Sequence, residues 1–556
     1  MRAPHILPEE VLSIISSYLG LGQDFSTLFA CSLASKSLAD SALRVAYQYH
    51  ESSNAFTQPD DLVLQAKDQD RLFEKWTLLW RSIIASAVQP YCTYKPYTRY
   101  IRILDFRNLL DMLESAHKFH KFKVGFYAAP LQQLQHMRSG TRSGAKLIDV
   151  IATINHVGEA VLLKHAPLVE ELAGILRPQF LTRWVTGLSR LKSLTLHDGD
   201  ALDQECGHTI SRCCEQFQDL TVKSLRGPEA DTTFAAFLRA LPEHSLQQMT
   251  FISRSEIHRE TFVALSERHG LSMKDLRLDL CEEAVISLDA LKGCTSLQVL
   301  ALEDSVRSVE IGKRDKEALE DCVSWLVSCT KLKDVHVKGL RDGPSLLGKA
   351  AASGIVTWRD LRVHDYRMRA QETILFHSNL STVKTLESLH LQADSDDASD
   401  LDYAALVDSL SGLPNLRDLS LIEIADGLDE TDIARICLQA TSLERLCTGA
   451  DIMTDQTLEA LTQLPHLKSF TALAISRFSF DALLAYINQL DPGTQQGMLL
   501  SIQAADPDVH LFDEGMQAIL NQAIEDRVGG RFGMCIIPRA HPDADWELVQ
   551  SLLTWW

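Results

Sequence analysis

The 556-residue chain has no run of eighteen or more apolar residues, so no segment reads as a membrane-spanning helix. Its first residues, MRAPHILPEEVL, do not read as a secretory leader, because Pro8, Glu9 and Glu10 interrupt the apolar stretch. The twelve cysteines form no CxxC pair and no Cys/His set at zinc spacing, and Cys213 and Cys214 are neighbours, which strains an ordinary disulfide. A reducing compartment, cytosol or nucleus, is expected, with thiols acting as small apolar groups. Positive charge is in deficit. A formal net charge of −20 lacks the basic footprint of a nucleic-acid binder and disfavours anionic lipid. Walker, GxGxxG and GxSxG signatures are absent. No catalysis, no cofactor and no metal are expected.

A periodic pattern fills the space those absences leave. The string L-x-x-L-x-L recurs as LKSLTL from Leu191, FQDLTV from Phe217, LQQMTF from Leu246, MKDLRL from Met273, LQVLAL from Leu297 and LKDVHV from Leu332. It continues as WRDLRV from Trp358, LESLHL from Leu386, LRDLSL from Leu416, LERLCT from Leu443 and LKSFTA from Leu467. The central residues are Leu194, Leu220, Met249, Leu276, Leu300, Val335, Leu361, Leu389, Leu419, Leu446 and Phe470, spaced 24 to 35 residues apart. The average spacing is near the length of one leucine-rich repeat.

Most copies also carry a helical half, with apolar positions three or four apart, such as Leu406, Leu410 and Leu413. The last apolar helical residue falls three before the strand's first leucine. Cys214, Cys294 and Cys329 stand there in three copies, where Leu188, Leu413 and Leu464 stand in others. Interchange with leucine marks these thiols as core. One strand and one helix cannot bury their own leucines, so neighbours must. The expected fold class is an α/β solenoid: a leucine-rich repeat arc with parallel strands concave and helices convex, preceded by a small three-helix unit. The Asn or Cys that usually follows such strands as a backbone ladder occurs only at Cys281. YIRILDF from Tyr100 reads as a first strand, residues 147–150 and LVEELAG from Leu168 as degenerate early repeats, and FGMCIIP from Phe532 as a terminal strand. DADWELVQSLLTWW reads as a capping helix, with Trp555 and Trp556 as capping apolar groups.

The amino-terminal segment has a different pattern. Pro8 suits a helix start, and Glu9 and Glu10 favour its positive end. Val11, Leu12, Ile15, Tyr18 and Leu19 recur at helical spacing until Gly20 and Gly22. Asp24 can cap a second helix bearing Phe25, Leu28, Phe29 and Leu33 on one face, and a third carries Leu38, Ala42, Val45 and Tyr49. Three such helices bury little surface alone, so their excess apolar residues call for a partner.

With its Leu7-Pro8 pair, leucine-rich first helix, break at Gly20 to Asp24, second helix and Ser35-Lys36-Ser37 stretch, residues 4–50 resemble an F-box. Leu38 stands where the family often has an aromatic residue. With LFEKWTLLWRSII from Leu72 leading into YIRILDF, the layout looks like that of fungal F-box/leucine-rich-repeat proteins. The resemblance implies a non-catalytic substrate receptor of a Skp-cullin-F-box ubiquitin ligase. Leu7, Pro8, Leu12, Ile15, Leu19, Leu28, Leu33 and Ala34 would face a Skp-type adaptor or support that face, and the repeats would hold an unidentified protein substrate. The competing reading is a repeat scaffold with no ubiquitin role, the first helices acting as a cap. The domain reading is 4–50 F-box, 51–96 helical linker, 97–186 degenerate early repeats, 187–475 leucine-rich repeats and 476–556 terminal repeat or cap.

Residues between the strand leucines point away from the core. The third motif positions include Asp219, Asp275, Asp334, Asp360 and Asp418; the fifth include Arg277, His336, Arg362 and His390, with Lys338 and His364 two further on. These columns can pair with each other, or Arg277, His336, Arg362, His364 and His390 can bind an acidic or phosphorylated segment of a substrate. DSDDASDLD, from Asp394 to Asp402, lacks the glycine and the glutamate of an EF-hand loop and reads as a solvated loop. HKFHKFK, from His117 to Lys123, reads as an ordinary helix surface rather than a single-strand nucleic-acid site.

Overall fold

The computed structural model describes residues 7–52, 66–139, 146–165, 168–307, 309–368, 371–424, 427–505 and 514–536. The chain divides into two units, Met1–Leu278 and Asp279–Trp556. Three helices open the first unit: α1 (Glu9–Leu21), α2 (Phe25–Ala34) and α3 (Lys36–Gln48). A long helix, α4 (Ala66–Val88), comes next. The strands of this unit are β1 (Ile103–Asp105), β2 (Met137–Ser139), β3 (Lys146–Ile148), β4 (Glu171–Gly174), β5 (Ser193–Asp198), β6 (Asp219–Ser224), β7 (Gln248–Phe251) and β8 (Asp275–Asp279). Its parallel sheet runs β1-β4-β5-β6-β7-β8. The second unit holds β9 (Val299–Glu303), β10 (Asp334–Lys338), β11 (Asp360–Arg367), β12 (Ser388–Asp394), β13 (Asp418–Ile422), β14 (Arg445–Thr448), β15 (Ile452–Met453), β16 (Ser469–Ser476), β17 (Leu499–Ala505) and β18 (Arg531–Ile536). These strands are parallel and pair in chain order, with β15 set aside on β16. Each unit is an α/β solenoid of leucine-rich repeats.

The leucines fix the register. Leu104, Leu172, Leu194, Leu220, Met249 and Leu276 are successive partners in the first unit. Leu300, Val335, Leu361, Leu389, Leu419, Leu446, Phe470, Leu500 and Phe532 are successive partners in the second. A slip of one residue would turn every leucine to solvent. Leu194, Leu220, Met249, Leu276, Leu361, Leu389 and Leu419 are fully buried. Cys214, Cys294 and Cys329 lie as deep as Leu188, Leu413 and Leu464. Burial pushes the Cys214 and Cys329 thiols up to about 12, which makes them inert packing groups.

Two expectations change. Residues 147–150 do not begin an early repeat. Ile148 pairs antiparallel with Met137, off the parallel sheet, and a helix starts at Val150. An apolar run states a need for burial, not the partner that supplies it. Conversely, β17 is a full rung that the leucine pattern did not mark, because Gly497 (φ +76°) stands in place of its first leucine. The expected capping helix, from Asp543, lies outside the described residues.

Where the chain enters each strand, the backbone bonding is regular. The carbonyl at the second motif position accepts two consecutive amides from the next repeat. Glu170 and Glu171 donate to Arg102, Lys192 and Ser193 to Glu170, and Gln218 and Asp219 to Lys192. In the second unit Arg359 and Asp360 donate to Lys333, Glu387 and Ser388 to Arg359, and Lys468 and Ser469 to Glu444. The N···O distances lie between 2.7 and 3.1 Å. Side chains at the same position interlock: Glu170 lies between Arg102 and Lys192, Gln247 between Gln218 and Lys274, and Glu444 between Arg417 and Lys468.

Acids also start the helices of neighbouring repeats. Asp231 accepts the amides of His258, Glu260 and Thr261 at 2.7 to 3.1 Å. Glu430 accepts the Thr454 amide and the Thr454 and Thr457 hydroxyls, and Asp455 accepts the Ser479 amide and hydroxyl. Asp402, at the end of the acidic stretch that begins at Asp394, accepts the Thr373 hydroxyl at 2.5 Å and closes a capping box with Ser399.

Two buried histidines make stability acid-sensitive. Burial holds His269 and His377 down at about 4; His269 pairs with the Leu238 carbonyl and His377 with the Tyr366 hydroxyl. Each is held in the fold as the neutral form, so its contribution is complete above the unfolded value near 6.5 and is lost as pH falls towards 4. A shift of that size corresponds to roughly 3 kcal/mol per histidine. Urea midpoints measured from pH 7 to pH 4.5 should therefore fall steeply for the unaltered chain and less steeply for His377→Gln. Equal slopes would refute the assignment.

Candidate functional site

The amino-terminal helices are built from short local signals. Pro8 precedes α1, and Glu9 and Glu10 occupy its first turn. Asp24 accepts the Thr27 amide at 3.0 Å at the head of α2, and that bond with the Thr27 side chain holds its carboxyl below the usual range. Ser35 accepts the Leu38 amide at 3.3 Å at the head of α3. A small core of Leu28, Ala42 and Val45 gathers Leu19, Phe25, Cys31, Ala46 and Tyr49 around it.

α1 buries only a narrow stripe, Leu12, Ser16 and Gly20, four residues apart. Two of the three are small, so α1 approaches α3 closely. A Cβ on Gly20 would overlap Val45 Cγ1. The rest of α1 is apolar yet open. Val11, Ile14, Ile15, Tyr18 and Leu21 are exposed, with Tyr18 at 73%. Phe29 and Leu33 of α2 are exposed at 65% and 72%. So many large apolar side chains left in solvent on one short segment are more than scattered surface residues account for.

Of the residues singled out by the sequence, Leu7, Pro8, Ile15, Leu33 and Ala34 are exposed and Leu19 is half-buried. Leu12 and Leu28 are buried supports beneath them. Val11, Tyr18 and Phe29, which the sequence marked only by their helical spacing, are also exposed, and so are Ile14 and Leu21, which sequence reasoning passed over. The signal was present: where the inward stripe is small, large apolar neighbours are left outside. α3 is fastened to the succeeding helical segment, and Phe29 lines a cavity beside that junction with Tyr47, Leu78 and Ser82. Tyr47 stacks on Tyr97 at 4.1 Å and pairs with Ser82 at 2.7 Å, and Asp40 meets Lys95 at 2.5 Å.

On the sheet, the charged columns meet. In the first unit Arg277 grips Asp275 two residues back, at 2.8 and 3.1 Å. In the second unit Asp360 receives Arg362 at 2.9 Å and His336 at 3.5 Å, and Asp418 receives Arg445 at 2.8 Å and His390 at 3.4 Å. Burial pushes the Asp360 carboxyl up, but the His336 and Arg362 hydrogen bonds outweigh it and hold the group well below the usual carboxylate range. The acids thus orient the bases. His364 is half-buried beside them. Among the described residues no group of three or more His, Cys, Asp or Glu side chains could hold a metal ion.

A bulky residue at position 20 should separate α1 from α3. Gly20→Val is expected to destabilise their packing by roughly 1–3 kcal/mol. Amide exchange in α1 and α3 should accelerate while β5 to β8 keep their protection. Unchanged exchange in α3 would contradict the close approach.

No family model and no curated protein matches the sequence. Among solved structures the chain is similar to the TLR13–ssRNA13 complex, at 13% identity and a TM-score of 0.34, over 67% of this chain and 54% of that one. It is similar to a structure of the Rad7 and Elc1 complex in yeast, at 12% identity and a TM-score of 0.32, over 69% and 89% of the two chains. A third is the plant peptide hormone receptor RGFR1 in complex with RGF2, at 13% identity and a TM-score of 0.29, over 62% and 64%. The chain spans about half the length of the first of these. At these identities and TM-scores no function carries over from any of them.

Proposed function

We propose that the chain is a substrate-recognition subunit of a Skp-cullin-F-box type ubiquitin ligase, with α1 to α3 docking on a Skp-type adaptor and the repeats binding the protein to be modified. In this reading it has no catalytic role of its own. The observation that carries it is the open apolar face of Leu7, Val11, Ile14, Ile15, Tyr18, Leu21, Phe29 and Leu33 ahead of a repeat solenoid. The rival reading makes the three helices a cap. A cap turns its large apolar residues towards the elements it covers. Here the α1 residues and Leu33 are exposed, Phe29 borders a cavity next to α4, and Tyr47 and Asp40 make the contacts to the succeeding segment. Apolar contact over such a face is the energetic core expected of a stable interface.

The test is co-purification of the full chain with a Skp-type adaptor. Ile15→Asp and Leu33→Asp are expected to abolish capture with little change in thermal unfolding, because neither side chain belongs to the buried core. Leu28→Ala, which removes a buried support, should lower stability by about 2–5 kcal/mol as well. Retained capture by the two aspartate variants would exclude the adaptor-docking reading.

A further inference from the structure

On the sheet of the second unit, three adjacent strands place basic groups side by side. His336, Arg362 and His390 are register partners across β10, β11 and β12, and Lys338 is the partner of His364. Neighbouring strands lie roughly 4.8 Å apart, so these five side chains share a patch little wider than two strand spacings. Acids hold the heads in place: Glu303 on Lys338 at 2.9 Å, Asp360 on Arg362 and His336, and Asp418 on His390. Just beyond His364 the ladder breaks. The register of β11 shifts between Val363 and Tyr366, and Asp365 takes φ +58°. Arg307, itself at φ +52°, pairs with Asp365 at 3.3 Å. Two non-glycine residues in the left-handed region, bonded to one another, border His364. Such bulges re-aim side chains, and such strain gathers where chains bind.

The patch balances on its imidazoles. With them neutral, the carboxylates Asp279, Glu303, Asp334, Asp360, Asp365 and Asp418 outnumber the cations Arg307, Lys338, Arg362 and Arg445 by two. With His336, His364 and His390 protonated the balance reverses. We propose that Lys338, Arg362, His364 and His390 form a subsite for one oxyanion, a carboxylate or phosphoryl group on an extended partner segment, and that the subsite gains affinity by taking up protons as it binds. The inference rests on reading the sheet face as the surface that holds the client; it does not depend on adaptor docking.

The supporting electrostatics have a definite sign. Burial, then the charge of His390, hold the His364 imidazole below its ordinary value; Arg362 and Lys338 act in the same direction and Asp365 opposes them. Every neighbouring cation that disfavours a proton on His364 favours an anion beside it. A bound oxyanion raises the affinity of His364 for a proton, so by reciprocity a proton raises the affinity for the oxyanion. Binding therefore strengthens as pH falls through the range in which histidine titrates.

Sulfate is the suitable probe, because it stays divalent from pH 7.5 to pH 5.5 and any pH dependence then belongs to the protein. The full chain would be labelled at histidine Cε1 and titrated with sodium sulfate against sodium chloride of equal ionic strength, with His364→Gln assigning the resonance. Saturable shifts of His364 and His390 are expected, with affinity rising about tenfold between pH 7.5 and pH 5.8. Arg362→Gln and His364→Gln should remove most of that rise, while adaptor capture is unaffected. A parallel titration with acetate separates the two sources. Saturation by either anion upholds the subsite, and the tighter one names its chemistry. Identical responses to sulfate and chloride, or saturation with the same affinity at both pH values, would overturn the proposal.

Discussion

Most repeats offer one backbone carbonyl to two amides of the neighbour, with the last rungs at Lys468 and Met498 offering it to one, and the rest of the molecule depends on that handover. It satisfies three polar groups at a strand entrance without using a side chain, as buried backbone requires. It holds the register that burial of the leucines selects. Once Lys333 holds Arg359 and Asp360, and Arg359 holds Glu387 and Ser388, every later position of those strands falls into a column. The leucine column becomes the core. The third and fifth columns become facing rows of acid and base. The charged patch on β10 to β12 is therefore a consequence of backbone bonding two residues upstream.

Legibility in the sequence divides along the same line. Leucine spacing stated the core, because burial selects by residue type; all eleven central residues lie on strands, in register within each unit. The carbonyl handover left no trace in the sequence, since any residue except the donors' prolines can supply it. Cysteine at the end of the helical half was readable as core because it interchanges with leucine, and its depth agrees. The antiparallel pairing of Ile148 with Met137 was not readable, since apolar character names no partner. For the charged columns the residues were legible but their alliances were not: Asp418 reaches both ways, to His390 and to Arg445.

The amino-terminal helices show the opposite balance. Their extents and caps could be read from Pro8, Asp24 and Ser35, yet their outward face could not be read from periodicity alone. A stripe of Leu12, Ser16 and Gly20 is a weak hydrophobic signal beside Ile14, Ile15 and Tyr18. The stronger signal points to solvent, because close approach of two helices needs small residues and leaves the large ones for something else. The sheet face differs again. Its groups are mutually paired, so it is specific without being sticky, and a ligand there must compete with bonds already made.

The acids that start the helices of adjacent repeats bear on how such a molecule can change over time. Asp231 serves three amides, Glu430 serves a pair of threonines, and Asp455 serves a single serine. No two of these joints have the same chemistry. A duplicated or transplanted repeat would arrive with a joint that its new neighbour cannot complete. At these three joints single residues can change more readily than a whole unit can be exchanged.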